Sequence, residues 1–257
     1  MKLSTIEPPP AVSELTGEYL ERARLLGQRT AELHLALGSD PNDADFAPEP
    51  LSEFYKQGFY HALLALTTRI SQTERITSAT EESIRTHLRA FRDSKLSGLR
   101  IRIHGTYELR EVLYTGKDFV IIDFEGDAPR PLTQRRIKRH PLTDVAGMIV
   151  SLHEAAHAAR LGQAPGSTHR PENPAVSTRW AECWFLWAAA AFLKGYIATM
   201  GKSPLLPPTP QDTALLLNLF TLERLLHQAE KSDVINPDAA VTPIDGLTEL
   251  LDNWPIV

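Results

Sequence analysis

This sequence has almost no cysteine, no excess of basic charge and no long hydrophobic run. Cys183 is the only cysteine among 257 residues, which excludes an intramolecular disulfide and predicts a buried thiol in a reducing compartment. The net charge of −5 provides no general attraction for nucleic acid or an anionic membrane. The most apolar stretch, residues 183–193, falls short of the about 20 residues that a membrane helix needs. Residues 1–10 lack the apolar centre of a signal peptide. We therefore expect a cytoplasmic protein that binds neither nucleic acid nor membrane.

What the sequence does contain is typical of a globular domain, with 42% hydrophobic and 23% charged residues. Apolar residues recur at steps of three and four, which indicates amphipathic helices. The predicted helices are residues 16–38, 51–71, 79–97, 144–160, 177–200 and 209–231. Ser177 and Thr209 are predicted to cap the last two of them.

Three short segments are predicted to be β-strands because they alternate or are rich in β-branched residues. They are residues 99–103, 112–114 and 119–123, with a hairpin turn at 115–118. The stretches 39–50 and 162–174 are rich in proline or glycine and are predicted loops. The expected fold class is mainly α (α+β), with a small sheet in the middle. One domain is expected over residues 16–257, after a flexible segment at residues 1–15.

Two adjacent segments contain the residues suited to catalysis. Residues 104–113 read HGTYELREVL, and residues 114–126 read YTGKDFVIIDFEG. Both resemble the catalytic and metal loops of maltokinases, which also occur fused behind trehalose synthase and belong to the aminoglycoside-phosphotransferase-like kinases. The family pattern is HGDYHLGQVL followed by YTGKDFVIIDFEG, so the second segment agrees letter for letter. Further likeness covers residues 23–38, 46–50, 135–147 and 189–196, and the resemblance spans most of the chain.

The resemblance implies a kinase-like C-terminal lobe, in which a helical bundle and a small β-hairpin sheet carry the catalytic and metal loops. The implied reaction is the phosphorylation of maltose by ATP with Mg²⁺, in trehalose, maltose 1-phosphate and α-glucan metabolism. Such a transfer needs metal ligands for the triphosphate and a carboxylate that positions the acceptor. The implied site residues are, for the metal, Glu111, Asp123 and Glu125; for catalysis, His104, Thr106 and the loop-supporting Asp144; and for the substrate, Glu223.

Several of these positions depart from the family pattern. Thr106 stands where the family has its catalytic aspartate, and a threonine hydroxyl cannot hold a proton near neutral pH. General-base help is worth about 10²–10⁴-fold in rate, so this change predicts very little transfer. Glu108 replaces a histidine, Arg110 replaces a glycine, and Glu111 replaces the family's metal-ligating glutamine. Asp144 also has the position of a cap for a helix that begins at Val145.

Two other features of the family are not found. The family's N-terminal lobe supplies a lysine and a loop that cover the nucleotide, but residues 1–15 are too few for a sheet, and the sequence has no glycine-rich phosphate loop. Residues 231–239 share only Pro237 and Asp238 with the family's last conserved segment. We therefore expect a truncated and catalytically impaired maltokinase homologue.

Two alternatives keep the kinase resemblance but change its consequence. The chain is either half of a split, active maltokinase that a partner lobe completes, or a regulatory or scaffold module for trehalose synthase or a true maltokinase. A basic run at residues 135–140 is available for such contacts or for phosphate, although a solvated loop is its commoner meaning.

A third alternative is a zinc metallopeptidase. Residues 153–157 read HEAAH, the spacing that places His153 and His157 on one face of a helix with Glu154 as a base. Glu182 is the best candidate for a further ligand. Against this, Arg160 lies where the metzincin pattern requires glycine.

Overall fold

A computed structural model describes residues 6–73, 76–126, 131–162 and 174–232 of the chain. Eight α-helices and four short β-strands lie within these ranges. The helices are α1 (Pro10–Thr16), α2 (Tyr19–Leu37), α3 (Glu53–Ser71), α4 (Ser78–Asp93), α5 (Leu132–Arg135), α6 (Leu142–Arg160), α7 (Pro174–Met200) and α8 (Pro210–Ser232). The strands are β1 (Glu49–Pro50), β2 (Leu99–Arg100), β3 (Val112–Tyr114) and β4 (Phe119–Ile121).

The centre of the molecule is formed by three long helices. Helix α7 packs along α2 on one side and α6 on the other, and α6 in turn packs on α8. Helices α3 and α4 pair with each other and join the same hydrophobic core through α8. Fully buried residues such as Leu88 of α4, Leu152 of α6 and Phe192 of α7 belong to this one core. The predicted mainly α (α+β) fold class is thus confirmed.

Hydroxyl caps determine where three of these helices begin. The side chains of Ser52, Thr77 and Thr209 each accept a hydrogen bond from the amide three residues later, at 3.2, 3.1 and 3.1 Å. A cap of this kind satisfies one of the amides that the first turn leaves without a partner. Thr209 is therefore the cap that the sequence predicts, whereas Ser177 lies inside α7 and does not begin it.

The β-structure consists of two separate two-stranded sheets instead of one. Strands β3 and β4 form the predicted hairpin, with Leu113 opposite Val120. Strand β2 pairs instead with β1, which lies at the end of the predicted loop 39–50. That pairing stays short because Pro48 and Pro50 have no amide hydrogen to donate. Beyond it, Ile101 makes a single bridge to Arg139.

Other boundaries differ from the sequence predictions. Helix α4 ends at Asp93, four residues before the predicted end, and α6 begins at Leu142. Residues 10–15 of the expected flexible segment belong to α1, which packs on α2 and α7 and has Val12 as its buried residue. Cys183 is partly exposed, so the prediction of a buried thiol is wrong.

Helix α7 is the most apolar element. Its residues Val176–Met200 are long and apolar enough to cross a membrane by length and composition, although the run 183–193 alone is too short. Half of the most apolar window is buried inside the protein, against the neighbouring helices. A core helix of a globular protein meets the same criteria.

Candidate functional site

The segment after β2 is held in place by one buried carboxylate. Asp144, in the first turn of α6, accepts hydrogen bonds from the backbone amides of His104 and Gly105, at 2.8 and 2.9 Å. On its other side, its Oδ2 lies 3.2 Å from Nε2 of His34, whose Nδ1 lies 3.0 Å from the Tyr196 hydroxyl. Asp144 caps no helix amide, so of its two predicted roles the contact with the loop is the one observed.

His104 connects this loop to the hairpin. Its ring is buried, and Nε2 donates to the carbonyl oxygen of Ile122 at 2.7 Å. The next residue, Asp123, has a φ of +62°, which non-glycine residues adopt rarely and which is found at functional turns. Asp123 and Glu125 are exposed at this end of the hairpin. The histidine therefore fixes the distance between the loop that contains Thr106 and the turn that contains Asp123.

A polar pocket of about 90 Å³ opens between this loop, α6 and α8. It brings together three of the predicted site residues, Thr106, Asp144 and Glu223, although they lie far apart in sequence. The other side chains that line it are Tyr107, Glu108, Arg110, Arg139, Thr143, Phe220, Arg224 and His227. Oγ1 of Thr143 and Nε of Arg224 are buried without a hydrogen-bond partner in the structure. Such atoms are available to a ligand with hydroxyl groups.

Glu223 is already bound within the protein. Both of its carboxylate oxygens accept from Nη2 of Arg139, one of them at 2.6 Å. Burial would lower the pKa of Arg139, but Glu223 and the Tyr55 hydroxyl raise it above its ordinary value. The predicted substrate residue therefore lies at the pocket with its charge neutralised.

A second group of charges lies beside the pocket. Arg110 contacts Glu108 at 3.0 Å and Glu111 at 2.9 Å, and Arg224 contacts the other oxygen of Glu108. Both glutamates are buried. Burial lowers the pKa of Arg224. Glu108, Arg110 and Glu111 are all positions where the sequence departs from the maltokinase pattern, and with Arg224 they form one ion network.

Comparison with known proteins identifies the fold. No family model matches the chain. A solved structure of glucosamine kinase in complex with glucosamine, ADP and inorganic phosphate superposes with a TM-score of 0.71 at 20% identity, over 90% of this chain and 52% of that one. The chain shares its fold with glucosamine kinase. Two other crystal forms of that enzyme superpose with a TM-score of 0.70 at 20% identity, over 91% of this chain and 54% of theirs. The chain thus spans about half the length of these kinases, and the predicted kinase-like α+β lobe is confirmed.

The three implied metal ligands do not form a metal site as a set. Glu111 is buried against the guanidinium of Arg110, whereas Asp123 and Glu125 are exposed at the hairpin end. In the described part of the chain, no three histidine, cysteine or carboxylate side chains are grouped so that they could hold a metal ion. The residues around Glu111 therefore do not fit a resident Mg²⁺.

The same result applies to the zinc alternative. His153 packs edge-on against Phe185, and Glu154 accepts from Gln228 at 2.7 Å. Nη2 of Arg160 lies 3.2 Å from Nδ1 of His157, so a fixed positive charge stands where a zinc ion would have to approach. Over residues 6–73, 76–126, 131–162 and 174–232 no three histidine, cysteine or carboxylate side chains are grouped for a metal ion. The HEAAH sequence is a stretch of α6 in which only Ala156 is buried.

Some residues at or near the pocket differ from what the sequence predicts. Arg139 and His140 were assigned to a solvated basic loop, but His140 is fully buried and Arg139 binds Glu223. Lys138 of the same run is buried and donates to two backbone carbonyls, at 2.7 Å each. His227 is not among the predicted site residues but lines the pocket. Its position one helical turn after Glu223 was the available signal.

Proposed function

We propose that this chain is a catalytically impaired relative of maltokinases, derived from a sugar kinase that transfers phosphate from ATP to a hydroxyl of maltose. The observation that supports this most strongly is the position of Thr106. It lines the pocket beside Asp144, on the loop that the maltokinase resemblance assigns to catalysis. A threonine there can position a sugar hydroxyl by a hydrogen bond but cannot accept its proton at neutral pH.

The kinase-like fold and the polar pocket agree with this proposal. Thr143, Arg224 and His227 offer hydrogen-bonding groups at the pocket, as recognition of a sugar requires. Binding of ATP is proposed from the resemblance, and the glucosamine kinase structure that contains ADP agrees with it. Maltose as the sugar, the connection to trehalose metabolism and a cytoplasmic location are further parts of the proposal.

The proposal is tested by direct assay of the purified chain. The protein is incubated with ATP, Mg²⁺ and maltose, and maltose 1-phosphate is followed by mass spectrometry. We expect no product above that of a boiled control, because general-base help of about 10²–10⁴-fold is lost at Thr106. Product that forms with the native chain and disappears in Asp123→Ala would contradict impaired catalysis.

A second candidate function is half of a split kinase, completed by a partner lobe. One observation favours it: the outer face of the hairpin exposes two directly paired apolar residues, Leu113 at 52% and Val120 at 48%. Apolar surface of this kind is suited to a protein contact. Leu113→Lys should abolish activity that depends on an added partner without unfolding the chain. In such a complex, Thr106→Asp should raise turnover by about 10²-fold or more.

A scaffold role for trehalose synthase or a maltokinase is the remaining candidate. It predicts that the purified chain binds one of these enzymes and changes its rate without turnover of its own. Size-exclusion chromatography with each enzyme distinguishes this from the split kinase, because a scaffold needs no ATP and tolerates Asp123→Ala.

A further inference from the structure

Arg110 lies between two buried carboxylates. Its Nη2 is 3.0 Å from Oε2 of Glu108, and its Nε is 2.9 Å from Oε1 of Glu111. The second oxygen of Glu108 contacts Arg224, a residue of α8. Each glutamate is only 8% exposed, so both carboxylates are largely removed from water. The positive charges that compensate them come from the chain itself.

We propose that the guanidinium of Arg110 takes the place of a divalent cation at Glu111, so that this residue ligates no metal. The assignment of Glu111 to a metal position rests on the proposed kinase ancestry. The ion network itself does not, because its contacts are observed directly.

The chemistry of the two cations explains why one excludes the other. A buried carboxylate needs a charged partner, and a guanidinium provides a permanent charge with several N–H donors in a fixed plane. Mg²⁺ requires six oxygen ligands at about 2.0–2.1 Å and gives up its water reluctantly. An ion at Glu111 would lie within a few ångströms of Arg110, and two positive charges at that distance repel strongly.

The position of Arg110 makes the proposal testable. Its side chain is 71% exposed, so its removal leaves no cavity in the core. Arg110→Gly also restores the residue type that the maltokinase pattern has there. Without the guanidinium, Glu111 regains a free carboxylate, while Glu108 keeps its contact with Arg224.

The experiment is a titration of each protein with Mn²⁺, followed by the electron paramagnetic resonance signal of the free ion, with no nucleotide or sugar present. We expect the affinity for Mn²⁺ to be on the order of tenfold higher or more in Arg110→Gly than in the native chain, since an attraction between unlike charges replaces a repulsion between like charges. Arg110→Lys, which keeps a positive charge, should behave as the native chain does.

Two controls sharpen the result. Arg136→Gly removes an exposed arginine from the turn after α5 and should gain no site. Adding Glu111→Gln to Arg110→Gly should abolish the gain. Native binding that Glu111→Gln removes, or the absence of any gain in folded Arg110→Gly, would overturn the proposal. Because the titration contains neither ATP nor maltose, its failure is distinct from failure of the proposed function.

Discussion

At the scale of single residues, the pocket depends on a carboxylate that faces inward. Asp144 accepts from two backbone amides, those of His104 and Gly105, and contacts His34. The carboxylate, His34 and His104 are buried, whereas Gly105 is exposed. Asp144→Asn can keep one of the amide bonds, but its own NH₂ group then faces the other amide. We expect the free energy of unfolding, measured in urea, to fall by about 1–3 kcal/mol because one backbone donor is left unpaired.

A matched change elsewhere isolates the effect of burial. Asp93 bonds to Arg92 on the surface, and its side chain is 65% exposed. Asp93→Asn should change the free energy of unfolding by less than about 0.5 kcal/mol. Equal losses for the two variants would show that the contacts of Asp144 with the loop contribute nothing to stability.

His153 is expected to lower the free energy of unfolding in acid. Burial, with a smaller effect of His157 and Arg160, lowers the pKa of His153 to about 4 in the folded protein. In the unfolded chain a histidine titrates near 6.5, so the unfolded state binds the proton first as the pH falls. The contribution of a neutral His153 is therefore complete above about pH 6.5. It is lost at up to about 1.4 kcal/mol per pH unit as the pH falls towards 4.

The measurement compares the native chain with His153→Phe, which keeps a ring against Phe185 but cannot titrate. Urea unfolding at pH 7, 6 and 5 should show that the variant gains relative stability at each step. His61→Phe, on the exposed side of α3, corrects for the change from imidazole to phenyl. If the difference between native and variant chains stays constant with pH, the assignment of this acid sensitivity to His153 is wrong.

At the scale of elements, two glycines determine how closely α2 and α7 approach. A Cβ on Gly27 would lie 1.9 Å from the carbonyl oxygen of Phe192, and one on Gly195 would lie 2.0 Å from that of Arg24. Alanine favours a helix over glycine by about 1 kcal/mol, but here the helices would have to move apart. We expect Gly27→Ala and Gly195→Ala to lower the free energy of unfolding by about 1–3 kcal/mol or more.

Gly58 provides the opposite case in the same protein. It lies inside α3, and a Cβ there would meet no atom within 4 Å. Gly58→Ala should therefore stabilise the protein by about 0.5–1 kcal/mol. Thermal unfolding of the three variants should show the difference in sign. Stabilisation by Gly27→Ala would mean that the close approach of the helices is not required.

The elements also show what the sequence could predict. The helices could be predicted because a repeat of three to four residues persists over many turns. The start of α8 could be predicted because Thr209 is a local capping residue. The partner of β2 was missed because a pair of two-residue strands has no period of its own. The loop between Arg135 and His140 was misjudged because burial of Lys138 depends on carbonyls almost a hundred residues away, at Ala44 and Ala47.

The candidate site was also predictable from the sequence only in part. The resemblance singled out Thr106, Asp144 and Glu223 one by one, and the structure shows that they line one pocket. It could not show that Arg139 neutralises Glu223, or that Arg110 binds Glu111. Those contacts depend on side-chain geometry across α6, α8 and the loop, which no local pattern encodes.

At the scale of the whole molecule, one hydrophobic core connects both sides of the pocket. Helices α3 and α4 pack on α8, α8 packs on α6, and α6 packs on α7, and the buried residues of these helices belong to the same cluster. Such a chain of contacts predicts one cooperative unfolding transition. Three of the four tryptophans, Trp180, Trp184 and Trp187, lie on α7, and none lies on α3 or α4. Fluorescence therefore reports mainly on α7, whereas far-UV circular dichroism reports on all helices.

This separation of signals allows a sharp test with Leu88→Ala in α4. Leu88 is fully buried, so its truncation should cost about 2–5 kcal/mol. If the core is one unit, the urea midpoint should fall equally by circular dichroism and by tryptophan fluorescence. Leu152→Ala in α6, next to α7, should shift both signals in the same manner. A fall in the circular dichroism midpoint alone for Leu88→Ala would instead mean that α3 and α4 unfold as a separate unit. The loop with Thr106 would then stay held by α6 while the α3–α4 side opens.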